Sequence, residues 1–585
     1  MKFLLTVHQF YPEYFSGTEV LTYSVARELL ARGHEVSVFT GYPARELMTD
    51  ARRFDKYEIN GIQVYRFYHG FVPMGQQQVV SEIEYNNQLA ASYFKGLLNE
   101  LAPDIVHFFH FSRLGAALVD VIRQLDISAY YTPTDFWAVC PTSQLLLADG
   151  QTCLGPTSQG GNCIKHVAMI THWRHYSSIV HYLPDGMIDK IAVLAKSGLN
   201  INFPFSREIA ALSGRKHFNI ERLNALQGIV APTKLMADVL TSNGVKPELI
   251  TQSAYGINIT GFEDFNRSYS VDRSVTIGYI GTLAPHKGCH ILIDAFTRLE
   301  RCGMSLKIYG NPKEFPEYVA GLYSTAKGND SIEFCGTFPN NQIADVLSGI
   351  DILVVPSVWY ENTPLVVYSA LAAKCPVIAS DFPGMSEVVR DGWNGLLFEP
   401  SNSIALADCF KRLYQEPTLL ISLSDNCQSP KSIATYVDEL LDLYEKKQHA
   451  PKFPLVGQQE LDAYIPANQG GYVVGWASIG ANAPKRIGLI SNNQEIGKTT
   501  QFLPRPDVRD GLRNSGVKID AINLGFIINL TQTVDGDLTF LQIEAMDGNT
   551  YCVPYESLQI GQSVFLESQL WLGLDQEYLI RNIIE

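Results

Sequence analysis

The feature that most constrains this chain is a repeated order: a short apolar run, an amphipathic helical stripe, then another short apolar run. It begins at the first residues. Lys2–Val7 (KFLLTV) fits a buried strand, Leu21, Val25 and Leu29 recur at four-residue spacing, Gly33 ends that helix, and Glu35–Thr40 alternates like a strand. Ile62–Tyr68, Asp104–Phe109, Ile127–Thr132 and Ile229–Pro232 extend the series. A parallel sheet flanked by helices is the economical solution for such units. The order restarts near Val275, with strands at Val275–Ile280, Ser305–Tyr309, Ile332–Cys335, Ile352–Val355 and Pro376–Ala379, a helix at Ile291–Leu299 and a last helix at Ile433–Lys447. Residues from about 140 to 205 break the pattern and read as an insertion over the rim of the first domain. Residues 448–462 read as a linker. Beyond it, Tyr472–Trp476, Arg486–Ile490, Ala521–Leu530, Leu538–Ala545 and Gln569–Leu572 are separated by Gly, Asn and Asp turns, which predicts a small all-β sandwich.

A chain of 585 residues exceeds one hydrophobic core and implies several domains. The net charge of −15 argues against a nucleic-acid partner, because phosphate backbones require many Lys and Arg to displace counterions. One small phosphate ligand needs only a local cation. The apolar run Phe3–Val7 stops at His8, too short for a signal-peptide core, and no stretch approaches the roughly 18 to 20 apolar residues of a membrane span. A cytoplasmic location with reduced thiols is the expectation for the ten cysteines. Cys140, Cys153, Cys163 and His166 are spaced Cys-x12-Cys-x9-Cys-x2-His. Only the last pair has a zinc-like spacing, so a structural zinc and separate thiols both stay open.

Open parallel sheets bind ligands at the carboxyl ends of their strands. Three loops fall there. Ser16-Gly17-Thr18 lies between the first strand and helix, where Gly17 permits close backbone approach and the helix start offers free N–H groups. Gly281-Thr282 through Lys287-Gly288 opens the second domain, and Lys287 at a helix start opposes the helix dipole unless an anion binds there. In Pro356–Ala379, Glu361 and Asn362 occupy a loop and a helix begins near Thr363-Pro364, so amides around Pro364–Val366 sit beside a carboxylate. Amides there suit a phosphate, and the carboxylate suits sugar hydroxyls.

Together SGTE, RGHEV, YGIN at Tyr255–Asn258, IGTLAPHKG, ENTPLVVYSALAAKCPVIASDFPGMSEVV and DGWNGLLF resemble the retaining glycosyltransferases of family four, over roughly residues 1 to 445. The resemblance implies an α/β GT-B fold, two Rossmann-like domains with a facing cleft, followed here by a C-terminal all-β domain. The domains would be 1–255 for the acceptor, 256–447 for the nucleotide-sugar donor, and 463–585 for the accessory β domain. It implies that Glu361, Lys287 and Asp135 are the catalytic candidates. Lys287 would bind a diphosphate and Glu361 would touch the transferred sugar, with Gly17, Gly281, Thr282, Asn362, Thr363, Pro364, Leu365 and Ser369 completing the donor site. His107, His110, Thr134 and Asp135 are the acceptor candidates; packing at a strand end is the competing reading for the two histidines. The co-substrate would be a UDP- or GDP-sugar with no metal or cofactor required. The acceptor would be a glycan or lipid-linked glycan in cell-surface polysaccharide synthesis, with peripheral contact at the inner face of the membrane.

Three positions depart from the family pattern. Ser369 replaces a second glutamate eight positions after Glu361, Thr282 stands where relatives often carry Arg, and Thr134 stands where they carry His before Asp135. A serine makes one hydrogen bond where a carboxylate offers two acceptor oxygens. These changes keep alive an alternative, a catalytically weak or inactive GT-B scaffold or glycan-binding protein. Retention of Gly17, Lys287 and Glu361 favours catalysis. In the last domain, GGYVVGWASIG and Arg505–Val508 weakly resemble a β-sandwich appended to some bacterial polysaccharide-building enzymes; Tyr472 and Trp476 share one strand face, which core packing explains better than sugar stacking.

Overall fold

The computed structural model describes residues 1–70, 72–171, 180, 182–196, 204–262, 265, 267, 269, 274–299, 303–416 and 418–448. Beyond them it describes 454–456, 462–464, 472–479, 482–491, 494–514, 519–530, 539–546, 548 and 550–554. The chain forms two compact units, one of Met1–Arg123 with Ile127–His449 and one of the remainder.

The first unit holds two sheets. The first is built from β1 (Lys2–Val7), β2 (Glu35–Pro43), β3 (Phe54–Ile59), β4 (Ile62–His69), β5 (Ile105–Phe108), β6 (Ser128–Tyr131), β7 (Gly228–Ala231) and β8 (Ile250–Gln252). Their order is β3-β4-β2-β1-β5-β6-β7-β8, parallel except for the edge strand β3. That strand was not read from the sequence, although Asn60 and Gly61 both have positive φ and form the two-residue hairpin turn this dipeptide favours. The second sheet contains β9 (Val275–Ile280), β10 (Met304–Tyr309), β11 (Ile332–Gly336), β12 (Ile352–Val355), β13 (Val377–Ser380) and β14 (Gly395–Phe398), ordered β11-β10-β9-β12-β13-β14 and parallel throughout. Strands buried on both faces explain the unbroken runs ILVV and VIAS.

The two domains share apolar packing. One cluster runs from Phe3, Val7, Leu21 and Val25 through Tyr255 and Leu353 to Tyr436 and Tyr444. The helix Ile433–Gln448 carries those last tyrosines back onto the first domain, where Tyr444 Oη reaches His107 and Arg32 binds Asp438 and the Ala434 carbonyl. The YGIN motif anchors this return. Ile257 and Ser432 form a bridge, with Ile257 N–H to the Lys431 carbonyl at 3.0 Å and Ile433 N–H to the Ile257 carbonyl at 2.7 Å.

Within the insertion, residues 140–160 form turns with an isolated bridge between Leu146 and Thr152, and helices follow. Helices Gly161–Ile170, Asp185–Lys196 and the start of Ser206–Leu223 bury Ile164, Ala168, Ile188, Ala192, Ile209 and Leu212 against one another. Tyr182 is exposed and Leu183 packs on this cluster, while Trp173, Tyr176 and Ile179 lie outside the described residues.

The second unit is antiparallel. A sheet of Pro454–Val456, Asp462–Tyr464, Tyr472–Ile479, Phe502–Pro504 and Asn523–Asn529 and a sheet of Arg486–Ser491, Gln494–Thr499, Thr539–Glu544 and Thr550–Pro554 enclose Val473, Ile487, Phe526, Ile528, Leu541 and Ile543. One strand, Pro454–Val456, therefore lies in the stretch read as a linker, and a second, Asp462–Tyr464, begins at its last residue; their three-residue length leaves no periodicity to detect. Trp476 does not join this core. It packs on the opposite face against Val508, Ile519 and Leu524, because the helix Pro506–Asn514 covers that side. The Tyr472 side chain and Gln569–Leu572 lie outside the described residues.

A Cβ on Gly256 would lie 2.5 Å from both the Ser432 carbonyl oxygen and Tyr436 Cβ. Gly256→Ala must push the returning helix off the first domain. Chemical denaturation should show a loss of about 2 kcal/mol or more, as for an overpacked core.

Candidate active site

The site begins where β9 and β12 end. After β9, Gly281 and Thr282 turn the chain, and Pro285–Lys287 forms a short 3-10 turn ahead of the helix Cys289–Thr297. Gly288 has φ of 72°, and a Cβ there would meet the Pro356 carbonyl oxygen at 1.8 Å, so only glycine lets this loop lie against the end of β12. The two loops are laced by Val358 N–H to the His286 carbonyl.

Glu361 is the focus. It is 4% exposed, and its Oε1 accepts from Lys287 Nζ at 2.7 Å, Ser357 Oγ at 2.6 Å and Trp359 Nε1 at 2.8 Å. Lys287 also sits 4.9 Å from the Trp359 ring centre. Burial pushes the Glu361 carboxyl upward, but the Lys287 charge and the three donors outweigh it and hold it below the usual range. Beside them burial and Lys287 hold the His286 imidazole down, to about 4.

Thr363 has φ of 48°, an uncommon conformation for a β-branched residue. It is held there by Thr363 Oγ1 donating to the Gly384 carbonyl and by Gly384 itself, whose absent Cβ would lie 2.0 Å from the Glu361 carbonyl oxygen. The helix then runs from Leu365 to Ala372 with Pro364 as its cap. Pro364 has no N–H, so the amides free for an anion are those of Leu365 and Val366.

Asn362 is drawn toward the first domain. Its Oδ1 accepts from Thr233 Oγ1 at 2.7 Å, and its Nδ2 approaches Tyr255 Oη at 3.1 Å and the Pro133 carbonyl at 3.3 Å. Next to it the Glu387 carboxylate accepts from the backbone N–H groups of Lys234 and Leu235, at the start of the helix Lys234–Ser242. The carboxyl ends of β6, β7 and β12 thus face one another across this seam.

On the first domain, Ser16 makes no side-chain cap on the helix Gly17–Ala31, and a Cβ on Gly17 would meet nothing within 4 Å. Thr18 Oγ1 donates to Thr134 Oγ1 at 2.9 Å. Ser112 N–H donates to His110 Nδ1, which leaves Nε2 carrying the proton that reaches Asp135 Oδ2 at 2.8 Å. Asp135 Oδ1 accepts from Trp137 N–H, and its side chain is partly exposed.

Residues 15–145 match the family model described as Glycosyltransferase Family 4, and residues 274–416 match the one described as Glycosyl transferases group 1. Sucrose-phosphate synthase from Thermosynechococcus elongatus aligns with a TM-score of 0.52 and 15% identity, over 77% of this chain and 99% of that one. The fold is GT-B. Both matched segments are thus similar to glycosyltransferase domains. The chain is similar to alpha-D-kanosaminyltransferase of Streptomyces kanamyceticus, 25% identical over 190 residues, 31% of this chain and 48% of that protein. It is also similar to phosphatidyl-myo-inositol mannosyltransferase of Mycobacterium leprae, 28% identical over 139 residues, 23% of this chain and 36% of that protein. The chain spans less than half the length of either relative.

Within this GT-B frame the structure joins Lys287 to Glu361 and His110 to Asp135, and it sets Gly17 beside Thr134 through Thr18. Two candidate residues make bonds within the protein, one of them as the packing alternative foresaw. His107 has 0% exposure, with Nε2 on Thr132 Oγ1 at 2.8 Å and Nδ1 on Tyr444 Oη at 2.6 Å, so it packs the returning helix and has no ring nitrogen left for an acceptor. Ser369 donates back to the Leu365 carbonyl at 3.2 Å, the bond a helical serine makes with its own preceding turn. Cys140, Cys153, Cys163 and His166 do not form a metal-binding group; among the described residues no cluster of three or more His, Cys, Asp or Glu is placed to hold a metal ion.

Ser357 and Trp359 were not singled out from the sequence, although they flank Glu361 in PSVWYEN and end a buried strand. His8 and Glu19 were missed as well. Glu19 is fully buried, 3.3 Å from His8 Nε2, and the His8 ring centre lies 4.2 Å from that of His110. The signal was a carboxylate in the first helical turn of SGTE.

Lys287→Met leaves a buried carboxylate uncompensated. Its expected cost at neutral pH is about 3 kcal/mol, the lower end for a buried pair because Lys287 is 24% exposed. Glu361→Gln added to it should recover most of the loss. A depressed carboxyl stabilises the fold above the ordinary Glu value and loses that contribution as pH falls through its own, lower value. The gap between wild type and Lys287→Met should therefore close on acidification below about pH 4, measured by denaturant melts across pH.

Proposed function

We propose that this chain is a retaining glycosyltransferase that moves a sugar from a UDP- or GDP-sugar to a glycan or lipid-linked glycan, in cell-surface polysaccharide synthesis at the cytoplasmic face of the membrane. The observation that carries the reading is the Lys287–Glu361 pair at the mouth of β9 and β12, beside the free amides of Leu365 and Val366. A pyrophosphate competes for Lys287, and the released carboxylate then accepts hydrogen bonds from sugar hydroxyls. Both relatives described above are named as sugar transferases, which supports the same class.

In this reading the bond between the anomeric carbon and the diphosphate oxygen breaks while the acceptor oxygen bonds to that carbon on the same face. The departing phosphate takes the acceptor proton. Lys287 and the amides stabilise the charge growing on the leaving group more than the ground-state donor. Asp135, oriented by His110, receives the acceptor hydroxyl. No helix among the described residues is long and apolar enough to cross a membrane.

A thermal-shift panel of UDP, GDP, ADP and their sugars should pick out one base, since a ligand of the native state stabilises it by RT ln(1 + [L]/Kd). Glu361→Gln should lower the melting temperature, because the pair with Lys287 is lost, while still unfolding in one cooperative transition, and it should abolish transfer. No shift and no turnover with any donor, or full transfer by Glu361→Gln, would sink the enzyme reading and favour the scaffold.

A further inference from the structure

A cavity of about 450 Å³ opens beside the insertion, and its lining includes none of the candidate active-site residues. Its size suits a small ligand. One face of the helix Ser206–Leu223 forms its main wall, with Leu212, Ser213, Lys216, His217 and Ile220 at helical spacing and Arg215 alongside. The turn Pro156–Gly160 and Lys196 also line it, and Val139 and Pro141 provide apolar surface.

The charge of this cavity runs against that of the chain. The sequence has 60 acidic and 45 basic residues, yet among the described residues Lys196, Arg215 and Lys216 line the cavity and no carboxylate does. Lys216 has no ion-pair partner among the described residues, and Lys196 Nζ meets only the neutral Gln159 Oε1, at 2.8 Å. Arg215 is 2% exposed. Its Nε binds Glu84 at 3.0 Å and its Nη2 the Trp137 carbonyl at 2.6 Å, but its Nη1 is buried without a hydrogen-bond partner. A buried guanidinium N–H left unpaired is costly, and an acceptor entering the cavity removes that cost. The Asp189 carboxylate, on the helix Asp185–Lys196, is already occupied by the turn, through Thr157 Oγ1, Ser158 Oγ and the backbone N–H groups of Gln159 and Gly161.

We infer that this cavity is a second binding site, for a phosphate-bearing ligand whose phosphate lies between Lys196, Arg215 and Lys216 and whose body rests on Val139, Leu212 and Ile220. The phosphate comes either from a lipid headgroup or from a soluble phosphorylated compound. The full chain with Lys287→Met and Glu361→Gln removes the cation of the candidate donor site without leaving an unpaired carboxylate there. Calorimetric titration of that variant with inorganic pyrophosphate at constant ionic strength should still show one saturable site. Adding Lys216→Glu should weaken it at least about tenfold, the scale of one charge-assisted hydrogen bond, with the ligand-free melting temperature unchanged. Sedimentation with phosphatidylcholine vesicles, with and without phosphatidylglycerol, distinguishes the sources. Retention only by the anionic vesicles, lost with Lys216→Glu, assigns a headgroup, and pyrophosphate binding without vesicle retention assigns a soluble ligand. Neither pyrophosphate nor vesicle binding, or binding that Lys216→Glu leaves unchanged, overturns the inference. A wild-type chain that shows no nucleotide-sugar binding leaves this result standing, since the donor site is already disabled here.

Discussion

The structure of the first unit depends on how two sheets with polar carboxyl ends are brought face to face without stranding their backbone groups. Asn362 solves most of this. A single carboxamide, donor and acceptor at once, accepts a hydrogen bond from Thr233 Oγ1 and donates to Tyr255 Oη and the Pro133 carbonyl. Thr233 in turn caps its own helix at Met236 N–H, and Tyr255 Oη bonds the Pro133 carbonyl. Every one of these groups is buried, so the cluster must be complete to be tolerated. It fixes where the loop after β12 lies, and hence where Glu361 sits one residue earlier.

Glu361 and Lys287 form the complementary arrangement on the other side of that loop. A buried carboxylate has to be matched, and here an ammonium, a hydroxyl and an indole N–H converge on a single oxygen. The arrangement is uneven in its exposure. The hydroxyl and indole stay with the loop, and the lysine is the group that reaches solvent. Strain at Thr363 is confined to the same few residues and is held by the close approach of Gly384.

Much of this was legible in the sequence. Buried parallel strands such as β12 read clearly, because unbroken β-branched runs have few alternatives. The edge strands β3 and β8 and the short strands within 454–464 did not, since their burial is partial or their length too small to set a period. Lys287, Glu361, His110 and Asp135 were singled out, and the structure pairs them. His107 was not distinguishable from His110 in VHFFH. They differ because strand alternation sends one ring under the returning helix and the other to the strand end, and the tyrosine that occupies His107 lies 337 residues away. Trp476 failed for a similar reason, as the helix that covers its face announces itself only through Arg505 and Asp507.

The clasp of Glu387 on the start of the helix Lys234–Ser242 carries one more consequence. It joins a full negative charge to the positive end of a row of peptide dipoles, across the line where the domains meet. Parting the domains returns both poles to water, where dissolved ions screen each of them. What this clasp contributes to holding the two domains together therefore depends on the medium, and shrinks as ionic strength rises.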